Sequence, residues 1–127
     1  MGKSRVMAID GPSGSGKSTV AKKLAQELNL LYIDTGSMFR GLAHYTHVNN
    51  VAMQSGLELT RFLANCQLQY GISQDQLIII NGVNLTQAIR EHHVSKLASI
   101  ISQLPEVRDF LLKFQRDLVL ETCCVME

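Results

Sequence analysis

The chain lacks a bias of charge, an even set of cysteines and a long apolar segment at its start. Its 127 residues carry 12 Lys and Arg against 11 Asp and Glu, for a net charge of +1, with the two signs dispersed. Nothing forms a basic stripe for a nucleic-acid backbone or a cationic helix for a membrane surface, so the expected ligand is small, with no nucleic acid and no membrane as partner. Three cysteines without a Cys-x-x-Cys pair argue against a disulfide framework. Cys123 and Cys124 fall in the apolar run from Thr122 to Met126, read as a buried strand, and Cys66 follows a helical stretch, so all three are read as packed free thiols. His44 and His47 are spaced to share a helix face, but no third ligand of metal-site spacing stands near them, and a protein-held transition metal is not expected. The adjacent His92 and His93 would diverge on a helix and are read as solvated. Behind Lys3 and Arg5 the apolar run is cut by Asp10, too early for a signal peptide or a membrane span, and the expected compartment is the cytoplasm. Repeats, linkers and low-complexity tracts are also missing, while a hydrophobic share of 46% excludes a disordered chain and predicts one compact domain.

What is present is a loop built for phosphate. Gly11, Pro12, Ser13, Gly14, Ser15, Gly16, Lys17, Ser18 and Thr19 fit the G-x-x-x-x-G-K-[ST] pattern without a mismatch. A polyphosphate needs converging backbone N–H groups, a point positive charge and a hydroxyl for its metal. The glycines let successive N–H groups turn inward, Lys17 reaches the outer phosphates, and Ser18 is the expected magnesium ligand. Val6 to Ile9 before the loop is an apolar run of buried-strand type. After it, Val20, Ala21, Leu24, Ala25 and Leu28 share one stripe, while Lys22, Lys23, Gln26 and Glu27 face away. Strand, loop and helix therefore follow in the order that aims a helix N-terminus at the anion.

Leu30 to Asp34 is a second apolar run, punctuated by Thr35 and Gly36. Two such runs joined by a helix predict a right-handed crossover and a parallel pair, with ligands at the carboxyl ends of the strands. On that rule the segment from Asp34 to Ser37 opens onto the same crevice as the glycine loop. A helix is predicted from Ser37 to about His47, with Met38, Leu42 and Tyr45 on one stripe. Arg40, in its first turns, is read as the clamp for a second phosphate-bearing substrate, because a guanidinium fork grips an oxyanion bidentately; an arginine in a surface ion pair is the competing reading. Asp34 has two readings as well: orienting magnesium-bound water during transfer, or capping the helix that follows.

The run Ile9 to Thr19, then Asp34-Thr35-Gly36-Ser37-Met38-Phe39-Arg40, resembles bacterial cytidylate kinase, which phosphorylates CMP and dCMP with ATP. The likeness continues through Ala98-Ser99, Leu104-Pro105-Glu106-Val107-Arg108 and Gln115-Arg116. It implies that Arg40 holds the CMP phosphate, that Thr35 and Arg108 contact the base, and that Ser99 touches the sugar. Thr35 stands where the family often has serine, which keeps the hydroxyl and adds a methyl. A donor fork at Arg108 suits the carbonyl and ring nitrogen of cytosine, whose exocyclic amine needs a separate acceptor; without the likeness Arg108 reads as a helix-surface arginine near Glu106 or Asp109. The implied chemistry is in-line transfer of the ATP γ-phosphoryl group, with Lys17, magnesium and arginines neutralising charge in a loose transition state.

Between the two halves, Gln67 to Tyr70, Leu77 to Ile80 and Val83 to Leu85 are strand-like, and Asn81-Gly82 between the last two signals a hairpin. The resemblance makes this a small antiparallel insert that closes over the monophosphate and excludes water; the residues alone allow a plain structural hairpin. Pro105 suits a first helical turn, followed by the apolar stripe Val107, Phe110, Leu111, Phe114 and Leu118. The predicted organisation is an α/β fold of P-loop NTPase type, three-layered with a parallel sheet: residues 1–65 form the first part of the core, 66–90 the insert, and 91–127 the continuation of the core, ending on a sheet strand. Glu127 falls where the resembled family continues into a Gly-Arg-Asp motif, further strands and an arginine-bearing lid. On that likeness the chain is C-terminally truncated, with an exposed sheet edge that favours weak stability or association. The full-length form is expected to be a monomer. Three functions stay open at this point: a CMP kinase, another small-molecule P-loop kinase, and a nucleotide-binding unit without turnover.

Overall fold

The computed structural model describes residues 6–8, 23, 27, 31–121 and 124–126. They divide into two compact units, one made of Met1–Thr35 with Gln115–Glu127 and the other of Gly36–Phe114.

In the first unit, strands β1 (Val6–Ala8) and β2 (Leu31–Ile33) both run parallel to the strand that closes the chain, Cys124–Met126. That strand lies between them, pairing Val6 and Leu31 with Cys124, and Ala8 and Ile33 with Met126. The expectation of β1 and β2 as a directly paired couple is therefore corrected. A helical crossover spans more than one strand width, and here the vacant place is taken by a segment from the far end of the chain. Residues 23 and 27, between β1 and β2, are helical.

The second unit is built around α1 (Thr35–Val48), which enters it at Gly36. Met38 and Leu42, four residues apart, are fully buried on one face, as their spacing predicts. Thr46 is also fully buried; its hydroxyl donates to the Leu42 carbonyl at 2.7 Å, so no polar atom is stranded there. Gly41 faces Ile78 so closely that a Cβ at this position would stand 2.5 Å from Ile78 Cδ1. The helix ends at Asn49 and Asn50; Asn50 takes a φ of 58° that its short polar side chain tolerates, and the chain turns away.

Helix α2 (Leu57–Ala64) buries Leu59 and Leu63, and leads into strands β3 (Leu68–Tyr70), β4 (Ile78–Ile80) and β5 (Val83–Asn84). These form an antiparallel sheet with β4 in the middle. Ile80 pairs with Val83 across Asn81 and Gly82, whose φ values of 50° and 79° are both positive. That is the type I′ turn for which Asn-Gly is suited, since its twist matches that of the flanking strands. The loop between β3 and β4 is tied by side chains of β5 and the residues after it: Thr86 Oγ1 accepts from Leu77 N–H at 2.9 Å, and Asn84 Nδ2 donates to the Asp75 carbonyl at 2.8 Å.

A 3-10 turn at Ala88–Arg90 precedes α3 (His92–Ile101) and then α4 (Pro105–Glu121), which has proline at its first position. Val94 and Ile101 of α3 are fully buried, as are Val107 and Leu111 of α4. Among the described residues, no helix is long and apolar enough to cross a membrane.

Candidate functional site

The glycine loop, Gly11, Pro12, Ser13, Gly14, Ser15, Gly16, Lys17, Ser18 and Thr19, lies outside the described residues. Strand β1 before it and the helical residues 23 and 27 after it are described, and their order is the one the motif requires.

On the acceptor side the geometry is explicit. Ile33 ends β2, Asp34 follows, and Thr35 is already helical. Asp34 and Thr35 are half-buried. Asp34 thus stands at the residue before the helix, the position from which a carboxylate caps free N–H groups. In the second turn of the same helix, Arg40 is half-buried, and its Nη2 donates to Ser37 Oγ at 3.1 Å. Ser37 is 3% exposed. A buried hydroxyl one turn back therefore fixes one edge of the guanidinium, which lowers the entropy lost when the group grips an anion. The predicted helix start at Ser37 lies two residues late, since the helix begins at Thr35; the pairing of Ser37 with Arg40 was not anticipated, and their spacing of three on a helix was the available signal.

Ser99 and Arg108 are both exposed, on α3 and near the start of α4. Ser99 Oγ donates to the Ser95 carbonyl at 3.1 Å, which parks the hydroxyl on its own helix. One of the two acidic neighbours of Arg108 is otherwise engaged: Glu106 Oε1 accepts from Ser55 Oγ at 2.8 Å and Oε2 from Gly56 N–H at 2.9 Å. Hydrogen bonds from its own backbone N–H, from Gly56 and from Ser55 hold the Glu106 carboxyl below the usual range. Arg40, Ser99 and Arg108 thus all belong to the unit Gly36–Phe114, while Asp34 and Thr35 belong to the unit that contains β1.

Two further groups bear on chemistry. Cys66 is buried, its thiol donates to the Phe62 carbonyl at 3.3 Å, and burial pushes its pKa up to about 11, which leaves it a poor nucleophile. Among the described residues, no three His, Cys, Asp or Glu side chains are grouped to hold a metal ion.

A family model described as cytidylate kinase matches residues 7–127. The chain belongs to the cytidylate kinase family. Curated cytidylate kinases share its sequence over most of its length. That of Exiguobacterium sp. (strain ATCC BAA-1283 / AT1b) is 37% identical over 128 residues, covering 100% of this chain and 57% of the relative. That of Desulfitobacterium hafniense (strain Y51) is 38% identical over 116 residues, covering 91% of this chain and 50% of the relative. A bifunctional pantoate ligase/cytidylate kinase of Synechococcus sp. (strain RCC307) is 40% identical over 115 residues, 89% of this chain and 22% of the relative. The chain thus spans about half the length of the cytidylate kinases it matches. Membership in the cytidylate kinase family carries the α/β P-loop fold with it, and accounts for finding a phosphate loop and the Arg40 helix in one chain.

Proposed function

We propose that the chain carries the donor loop and the acceptor-binding elements of an ATP-dependent CMP/dCMP kinase, which transfers the ATP γ-phosphoryl group to give ADP and CDP or dCDP. The observation that carries this reading is Arg40, fixed by Ser37 in the first turns of the helix that leaves β2. A phosphate-transfer enzyme needs a second anion grip apart from the one on ATP, and a pre-oriented guanidinium supplies it.

In this reading Gly11 to Thr19 wrap the ATP phosphates and Lys17 supplies the fixed positive charge. Arg40 holds the CMP phosphate so that one of its oxygens attacks in line. Thr35 and Arg108 contact cytosine, and Ser99 the sugar, once its hydroxyl leaves the Ser95 carbonyl. Ser18 would ligate magnesium, a hard cation that takes oxygen ligands, and Asp34 would orient a water bound to it. Magnesium, when bound, neutralises charge on the ATP phosphates. The insert at 66–90 covers the monophosphate and excludes water, which protects ATP from hydrolysis. The wider proposal is a three-layer α/β core with a parallel sheet and a small antiparallel insert, cytoplasmic and, in its full-length form, a monomer.

The test is a coupled assay of the chain over a panel of nucleoside monophosphates, run beside ATP and CMP titrations of the wild type and Lys17→Met. Removing a charge-assisted contact to phosphate is expected to weaken ATP binding about tenfold or more, with CMP binding retained. Turnover of CMP ahead of AMP and UMP supports the reading. Phosphorylation of a non-nucleotide hydroxyl, or ATP affinity indifferent to Lys17, overturns it.

A further inference from the structure

Arg40 is followed by Gly41, and the closeness of Gly41 to Ile78 means that the helix backbone at this point rests directly on β4. One turn further along α1, Tyr45 makes a second connection to the same sheet: Asn81 Nδ2, in the β4–β5 turn, donates to the Tyr45 hydroxyl at 3.1 Å. The orientation of the Asn81 amide is fixed by its other end, where Oδ1 accepts from Gln67 N–H at 2.8 Å. Flipping the amide would set its NH2 against that N–H donor, so the NH2 must face Tyr45. Asn81 N–H in turn donates to the Gln67 carbonyl at 2.9 Å, and the Tyr45 ring stacks on Phe62 with centroids 5.7 Å apart.

We propose that Tyr45 and Asn81 are positioning residues: they latch the hairpin turn to α1 and so set the direction in which Arg40 presents its guanidinium. The buried side chains Met38, Leu42 and Thr46 already limit rotation of α1 about its axis. The bond at Tyr45 narrows that rotation further, and a few degrees of roll displace the end of an arginine side chain far more than its Cα. The clamp is therefore oriented by the insert sheet through two contacts, apolar at Gly41 and polar at Tyr45, with Ser37 holding the guanidinium locally. This inference rests on the reading of Arg40 as the grip for the acceptor phosphate.

The experiment titrates CMP and ATP separately, by calorimetry, into the full chain and its variants, with a thermal melt for each. Tyr45→Phe keeps the ring on Phe62 and removes only the hydroxyl, whereas Asn81→Gly keeps the positive φ and removes the amide. Each is expected to weaken CMP binding about five- to tenfold, the effect of one neutral hydrogen bond, with ATP binding unchanged and the double variant no worse than either single one. Asn81→Asp should restore CMP affinity with Tyr45 present, because the hydroxyl then donates to the carboxylate, and should restore nothing alongside Tyr45→Phe. Unchanged CMP affinity in both single variants, or equal losses for CMP and ATP, overturns the latch. A wild-type chain that binds ATP but no monophosphate overturns the kinase reading, and the latch as a positioning device with it; wild-type CMP binding that both variants share overturns the latch alone.

Discussion

Among the described residues both sheets have three strands, but their strands meet in different ways. β3, β4 and β5 are consecutive, folded back through the loop after Tyr70 and the two-residue turn at Asn81-Gly82. The parallel sheet takes β1 and β2 from the start of the chain and its middle strand from Cys124–Met126, which we label β6. The antiparallel sheet closes short loops and is specified by its own turns. The parallel sheet depends on a segment more than a hundred residues from β1 and must close a much longer loop before any of its ladder forms. Local pairing is thus the more robust of the two, and the distant strand is the point at which the first unit is most exposed to damage.

The largest effect is expected from Val125→Pro. Val125 pairs with Met7 on one side and Tyr32 on the other, so proline there removes a donor in the middle of a sheet, where proline is not accommodated. Hydrogen exchange should show the amides of Val6–Ala8 and Leu31–Ile33 losing protection, while those of Ile78–Ile80 keep theirs. Loss of protection across both sheets would erase the distinction between them.

A smaller effect, confined to the other sheet, should follow Gly82→Val. At a φ of 79° a β-branched residue is strained by roughly 1–2 kcal/mol, and nothing crowds the site within 4 Å, so the penalty is conformational. Urea unfolding should show that loss, whereas Asn81→Gly, tested in the same way, should lose less from the turn itself. A Gly82→Val variant as stable as the wild type would mean that the I′ turn does not set the register.

The same contrast governs what could be read from the residues alone. The hairpin was legible because Asn-Gly names its turn type, and α1 because Met38 and Leu42 recur at helical spacing over a stretch without proline. The stripe of α4 was legible at Val107 and Leu111 for the same reason. The position of β6 was not, because periodicity reports that a segment is a strand and says nothing of which neighbours it chooses. Helix α3 escaped as well: it begins at His92-His93 with no side-chain cap to announce it. In the candidate site, Arg40 was marked by charge and place, but its bond to Ser37 was not, because helical spacing shows which side chains can meet and not which of them do.

The smallest expected effect concerns Glu106, a partner to Gly56 that no local pattern could suggest at a separation of 50 residues. Gly56 precedes α2 and offers no side chain to cap it, so the Glu106 carboxylate does so from the first turn of α4, where its own backbone N–H is a further donor. The folded-state pKa is lowered from an ordinary value of 4.5. The sign follows from linkage: the unfolded chain binds the proton more tightly, so the stabilisation is fully present above the ordinary carboxylate pKa and is lost as pH falls through the lower folded value. Glu106→Gln, which keeps one acceptor oxygen but no charge, should therefore melt below the wild type near neutral pH, with the two melting curves converging as pH falls through the lowered folded pKa. A gap that stays constant over that range would show that the carboxylate acts by shape alone, and that α2 and α4 are joined by packing without help from charge.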